Sequence, residues 1–302
     1  MVGRRGIMRD RVISNLFDKA FDMVNHILMI LISVVMLYPM LYVAFASFSD
    51  PLLFVKHKGI LWGSVGFTMN SYKMAFRNQL LLKSYGNTLF VLVVGVIINL
   101  LLTSIGAYFL TRKEVRLQKA VSIYIIITMF FNGGIIPFYF AVKDLGLENS
   151  LWSLIWPSAI NTFNLLIMKV SFSTIPDSLE ESARLDGAGH LTILFRIIIP
   201  VTKATVAVIG LYYAVAHWNS WFNAMLFLNK RETYPLQLIL REILIQNDTM
   251  AMSIGSEVGQ HEYVGETIKY AVIMIATLPI LCVYPFIQKY FTKGVMIGAL
   301  KG

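Results

Sequence analysis

Charge is scarce in this chain. Of its 302 residues, 14% are Asp, Glu, Lys or Arg and 57% are hydrophobic, giving a mean hydropathy of +0.66. Soluble domains carry about 25% charged residues, so the polar surface needed to face water is missing and a bilayer is the expected solvent. There is a single cysteine, Cys282. It excludes a disulfide framework and a cysteine metal cluster, and its place in an apolar run marks it as a packing residue. No Asp, Glu, Lys or Arg falls in the middle of any long apolar run. Ion-coupled carriers and proton relays place ionisable groups there, so the driving force is expected from another subunit. Catalytic patterns are also missing. "GQHEYVGET" (259–267) has the wrong gap and no lysine for a phosphate-binding loop, and neither HExxH nor GxSxG occurs. The chain is therefore read as non-catalytic and without a metal site. No cleavable signal peptide is expected, because the first apolar run is too long and lacks a small-residue cleavage site.

What is present is a set of six apolar runs, at about 25–48, 87–110, 120–141, 149–171, 203–228 and 268–291. A helix needs about 20 such residues to cross the hydrocarbon core. The fourth run is interrupted by Pro157, Asn161 and Asn164, and "NGGIIP" (132–137) breaks the third, as a gate, a re-entrant turn or a plain helix end. The net charge of +9 gathers at the ends of these runs, which needs no nucleic acid to explain it. Arg4, Arg5, Arg9, Arg11 and Lys19 precede the first run, and Arg112, Lys113, Arg116 and Lys119 follow the second. Lys289, Lys293 and Lys301 follow the last, whereas the short loop at 143–149 balances Lys143 with Asp144 and Glu148. The positive-inside rule then predicts an all-α membrane protein of six transmembrane helices with both termini cytoplasmic. Residues 1–24 form a basic cytoplasmic arm, 25–302 the membrane domain, and 172–202 a cytoplasmic loop, while 49–86 and 229–267 lie outside.

That loop carries the most polar stretch in the middle of the chain, "EESARLDGAGHLTILFRIIIP" (180–200). Asp177 and Glu180 have the spacing of a capping box, which predicts a short helix at about 178–186 after Pro176. Leu179, Ala183 and Leu185 fall on or near one face of it, with Glu180, Glu181 and Arg184 elsewhere. Gly187 and Gly189 supply a turn. Such a helix is either a solvated connector or a rigid element that inserts into a groove of another protein.

The residues Glu181-Ser182-Ala183, a three-residue gap, Gly187, a nine-residue gap, then Ile197-x-Ile199-Pro200 resemble the EAA loop of ABC importer permeases. The departures are Ser for the first Ala and Ile for Leu. "FNGGIIPFYFAVKDLGLENSLWSLIWP" (131–157), "HWNSWFNAMLFL" (217–228) and "PLQLILREILIQ" (235–246) are similar to the oligosaccharide-type subfamily of carbohydrate uptake permeases. Gly294, Gly298, Lys301 and Gly302 match the terminus of its second permease subunit. The likeness covers residues 15–302. It implies the type I importer fold in a bacterial cytoplasmic membrane, a heterodimer with a second permease subunit, two ATPase subunits and an extracytoplasmic solute-binding protein. By that resemblance, Glu180, Glu181, Ser182, Ala183, Arg184, Asp186 and Gly187 form a coupling helix in a groove of an ATPase subunit. ATP and Mg would be bound by those partners and no cofactor by this chain. The loop at 229–267 would touch the binding protein, and the C-terminal tail the ATPase interface.

The polar residues within the runs are Asn87, Asn99, Asn132, Asn161, Asn164, His217, Asn219 and Asn223. Each can be an interhelical hydrogen-bonding residue. With Trp152, Trp156, Trp218, Trp221 and Tyr213 they can also line a route for a sugar, whose hydroxyls pair with amides and whose C–H faces stack on rings. Asn161, Asn164, His217 and Trp218 are the candidates for that path. The rival readings are an ion-coupled secondary carrier, disfavoured by the uncharged spans, and an intramembrane glycan- or lipid-modifying enzyme, which needs an acidic or histidine cluster near a membrane face.

Overall fold

The computed structural model describes residues 3–112, 114–253 and 260–299, with side chains at 19, 21–112, 114–245, 267–285 and 288. Lys113, Lys301 and Gly302 lie outside the described residues, as do 254–259 of the 229–267 loop and Gly259 of "GQHEYVGET". The described chain is helical. Its one extended pairing among the described residues is an isolated bridge between Ser49 and Phe67. It divides into two compact units, residues 1–74 with 256–274, and 75–255 with 275–302.

The first unit is organised by α1 (Gly3–Ser47), a continuous helix that takes in the basic arm as well as the first apolar run. Its apolar side chains from Phe21 to Leu37 are exposed, as a lipid-facing helix requires. The chain then turns through α2 (Pro51–Lys56), where Asp50 accepts from the N–H groups of Leu52 and Leu53 and Pro51 occupies the first helical turn, and reaches α3 (Asn70–Arg77). Hydroxyls and packed rings together close this unit. Ser71 donates to Thr267 at 2.9 Å, Ser47 lies 2.9 Å from the Tyr72 hydroxyl, and Tyr42 packs edge-on against Tyr270.

The second unit is built around α4 (Gln79–Thr111), which begins eight residues before the run predicted at 87. Its 33 residues span about 50 Å at 1.5 Å each, longer than the roughly 30 Å hydrocarbon core. The surplus turns are used at its start: Asn87 donates to the carbonyls of Glu232 and Tyr234, and Lys83 pairs with Glu232 at 2.9 Å. Against α4 pack α7 (Thr162–Phe172) and α11 (Lys203–Trp218), sharing a core of Ala107, Leu165, Met168, Phe172, Ile209 and Tyr213.

The third run forms two helices, α5 (Gln118–Phe130) and α6 (Ile135–Asp144). Between them Gly134 adopts φ +89°, and Asn132 accepts its N–H at 2.9 Å. The fourth run consists of 3₁₀ turns at Leu151–Leu154 and Trp156–Ser158, followed by α7 at 48° to them. The fifth run ends α11 at Trp218 and resumes as α12 (Trp221–Phe227). Among the described residues, three helices are long and apolar enough to cross a membrane (Phe21–Ser47, Gln79–Thr111 and Thr267–Pro285), or five if each bent pair counts as one span.

Candidate functional site

The 172–202 loop joins α7 to α11. Pro176 halts the chain, and α8 (Asp177–Leu185) follows. The capping box predicted from Asp177 and Glu180 is not formed: the N-cap position falls on Pro176, without a side-chain cap bond, and Asp177 is already the first helical residue. Glu180 turns inward instead and is almost fully buried, at 7% exposure. There it meets Arg112, just beyond α4, whose Nη2 donates to Oε1 at 2.6 Å while Nη1 donates to Oε2. A two-pronged charged hydrogen bond is stronger than the single reach back to a cap.

Arg112 is held from its other side. Its guanidinium lies 4.3 Å from the centre of the Tyr108 ring, and the Tyr108 hydroxyl lies 3.1 Å from Nδ1 of His190. Partial burial draws the Arg112 guanidinium below its usual value, yet an arginine retains its proton. A second pair, Arg184 to Glu114 at 2.8 Å, is exposed; it holds the Glu114 carboxyl below the usual range and raises Arg184. Exposed pairs contribute about 0–1 kcal/mol, whereas removing one partner from a shielded pair costs about 3–5 kcal/mol. Of these two pairs, the Glu180 pair therefore contributes more to holding α8.

The far end of α8 closes with two hydrogen bonds, Gly187 N–H to Arg184 C=O at 2.9 Å and Ala188 N–H to Ala183 C=O at 2.9 Å. This is the Schellman arrangement, and Gly187 takes the left-handed position at φ +81°. The expected apolar face is divided: Ala183 packs on the core while Leu179 and Leu185 face outward, Leu185 at 90% exposure. Glu181, Ser182, Arg184, Asp186 and Gly187 are also exposed. Beyond Gly189 come α9 (His190–Ile193), a π turn at Leu194–Ile198 and α10 (Ile199–Val201), which meet α11 at 89°. Tyr108, Arg112, Glu114 and His190 were not among the predicted site residues.

The two helices that this loop connects also wall a cavity of about 590 Å³. Asn161, Asn164 and His217 line it, with Asn219, Asn223 and Tyr212 beside them. Phe163 and Phe222 add aromatic surface. Trp218 is not part of this lining. It is buried against Tyr85, with ring centres 6.1 Å apart.

The cavity wall is stiffened from behind. Asn99 of α4, fully buried, donates from Nδ2 to the carbonyls of Ser158 (2.7 Å) and Ala159 (2.9 Å), the groups freed at the break before α7. Those two acceptors fix the orientation of the amide, so Oδ1 must receive a proton from His217 Nε2 at 2.7 Å. Tyr213 adds a bridge, accepting the Asn161 N–H at 2.9 Å and lying 2.7 Å from the Thr103 hydroxyl. The amides thus divide by role. Asn87, Asn99 and Asn132 satisfy backbone groups away from the cavity, whereas Asn161, Asn164, Asn219 and Asn223 border it, Asn161 also accepting the Asn164 N–H and Asn219 donating to the Val215 carbonyl. The lining carries no Asp, Glu, Lys or Arg, and no group of three metal-ligating side chains occurs among the described residues. Amides, hydroxyls and aromatic faces around such a volume suit a hydroxyl-rich guest.

No protein-family model matches the chain. Among curated proteins it is 39% identical to the Bacillus subtilis "Polygalacturonan/rhamnogalacturonan transport system permease protein YtcP", over 94% of this chain and 99% of that protein. It is 38% identical to "Protein LplC" of the same organism, over 94% of this chain and 96% of that one. The B. subtilis "Melibiose/raffinose/stachyose import permease protein MelC" is 29% identical over 78% of this chain and 82% of its own. Among solved structures, the crystal structure of a bacterial ABC transporter involved in the import of the acidic polysaccharide alginate contains a chain of 33% identity. It superposes with a TM-score of 0.82 over 91% of this chain and 97% of its own. This chain belongs to the membrane-spanning permease proteins of carbohydrate-importing ABC transporters.

Proposed function

We propose that this chain is the second of two unlike permease subunits in a type I importer of the bacterial cytoplasmic membrane, and that its solute is an oligosaccharide. A solute-binding protein delivers the sugar from outside, two ATPase subunits bind ATP and Mg, and this chain catalyses nothing itself. Six spans with both termini cytoplasmic are part of the proposal, α5 and α6 together making the third. The contacts of α4 support that topology. One end of α4 meets residues 232–234 and the other meets α8, as predicted for loops on opposite sides.

The observation that carries the reading is connectivity. The loop holding α8 joins α7 to α11, and these two helices wall the amide-lined cavity. Force applied to the outward residues Glu181, Ser182 and Leu185 by an ATPase subunit therefore acts on the cavity walls. A short, capped helix transmits such force, and two arrangements of α7 against α11 supply the two states that alternating access requires. The relatives named for polygalacturonan/rhamnogalacturonan and melibiose/raffinose/stachyose transport support a carbohydrate solute.

Affinity purification of the chain from its native host in mild detergent tests the proposal. An ATPase and a second permease should accompany it, and the ATPase should be lost when residues 180–187 are scrambled. A chain recovered alone, even after cross-linking, refutes the importer. A second test concerns Asn161, whose Oδ1 accepts the Asn164 N–H at 3.1 Å as the cap of α7. Aspartate caps as well as asparagine but loses the amide donors. Asn161→Asp is expected to leave the membrane level unchanged and raise the half-saturating sugar concentration about tenfold. Unaltered uptake kinetics would remove Asn161 from the path.

A further inference from the structure

The Glu180–Arg112 pair has a consequence beyond anchoring, and it rests on the importer reading. Its side chains retain only 10% and 15% exposure, and the two residues stand 68 positions apart in the chain. The fork of a guanidinium on a carboxylate admits one relative geometry, and Tyr108 under the Arg112 guanidinium prevents it from swivelling. From Arg112, α4 continues without interruption to Asn99, where it grips the Ser158 and Ala159 carbonyls and His217 of the cavity wall. A continuous line of packed and hydrogen-bonded groups thus joins α8 to the cavity by way of a helix that the 172–202 loop never touches in sequence.

We propose that Glu180 is a positioning residue rather than an ATPase contact, and that its pair with Arg112 makes α8 and α4 one lever. Motion of α8 then reaches the cavity by α4 as well as by α7 and α11. Glu181, exposed on the outer side of α8, contacts the ATPase. The two neighbouring glutamates so divide the work, one facing the partner and one facing the chain's own second helix.

The test uses the complex recovered by the purification above, with its binding protein, and needs no knowledge of the sugar. Asn223→Cys is placed in the cavity of a Cys282→Ala chain, and its reaction rate with a water-soluble maleimide is compared without nucleotide and with ATP plus vanadate. The parent should change its rate at least tenfold between the two conditions. In Arg112→Gln and Glu180→Gln chains, which keep the routes through α7 and α11, the change should fall to about threefold, with the ATPase still co-purifying. The charge swap Arg112→Glu with Glu180→Arg should restore it, and Glu181→Lys should instead weaken ATPase recovery. A full rate change in either single variant overturns the lever. So does a swap that restores the membrane level of the chain but not the rate change. A parent chain that recovers no ATPase refutes the importer reading itself, an outcome distinct from either of these.

Discussion

Gly187→Val is expected to cut sugar uptake at least tenfold while the chain reaches the membrane at its normal level. The reason is local. Gly187 sits at φ +81°, and a Cβ built there meets nothing within 4 Å. Substitution therefore creates no clash with neighbours, and the cost is purely conformational, about 1–2 kcal/mol for a side chain forced into the left-handed region and at its worst for a β-branched one. That energy is small against the stability of the whole chain but comparable with that of one turn. The turn relieves it by leaving the Schellman closure, which frees the Gly187 and Ala188 N–H groups from Arg184 and Ala183 and lets α8 fray where it joins α9. Asparagine tolerates the left-handed region, so Gly187→Asn should retain most of the uptake, Gly187→Ala less and Gly187→Val least. Uptake of radiolabelled oligosaccharide, with immunoblots for membrane level, checks the order. Equal uptake by all three variants would show that the turn transmits nothing.

The parts of this site that were legible in the sequence are those written in local spacing. Gly187 announces a turn because it follows nine helical residues and precedes a second apolar stretch. Asn161 and Asn164 stand out as amides in an apolar run. The Arg112–Glu180 pair was illegible for a physical reason. An arginine at the end of an apolar run is what membrane topology demands, so Arg112 had a complete explanation without Glu180. Glu180 in turn fitted a capping box with Asp177. Each residue satisfied a local rule, and a stronger non-local interaction overrode both. The break at 131–134 was visible in "NGGIIP", whereas the right angle before α11 was not, because an apolar sequence runs through Pro200 into the fifth span. Trp218 misled for the opposite reason: an aromatic beside His217 was read as part of the sugar route, yet it packs against Tyr85.

Two glycines on one helix provide the second large effect, because the same substitution should act in opposite directions at each. At Gly95 an added Cβ would lie 2.5 Å from His217 Nε2 and within 2.9 Å of two more ring atoms. The imidazole cannot withdraw at no cost, since Nε2 is bonded to Asn99, and Asn99 holds the two carbonyls at the break of the fourth run. Gly95→Ala therefore either strains the ring or parts it from Asn99, leaving buried polar groups without partners. Overpacking of this kind costs about 1–3 kcal/mol, and an orphaned buried group adds about 1–3 kcal/mol. At Gly86, nine residues earlier on α4, a Cβ meets nothing within 4 Å. Alanine there should stabilise by about 0.5–1 kcal/mol, since glycine is the costlier residue in a helix interior. Thermal unfolding of the detergent-solubilised complex, followed by size-exclusion chromatography after heating, is expected to show Gly95→Ala below the parent and Gly86→Ala at or above it. Gly95→Ala should also lose uptake, because His217 lines the cavity and its position depends on the missing methyl. A His217→Ala change in the Gly95→Ala background opens the space again. It relieves the overpacking but leaves Asn99 Oδ1 without its partner, so the double variant should stay below the parent in stability and should not recover transport.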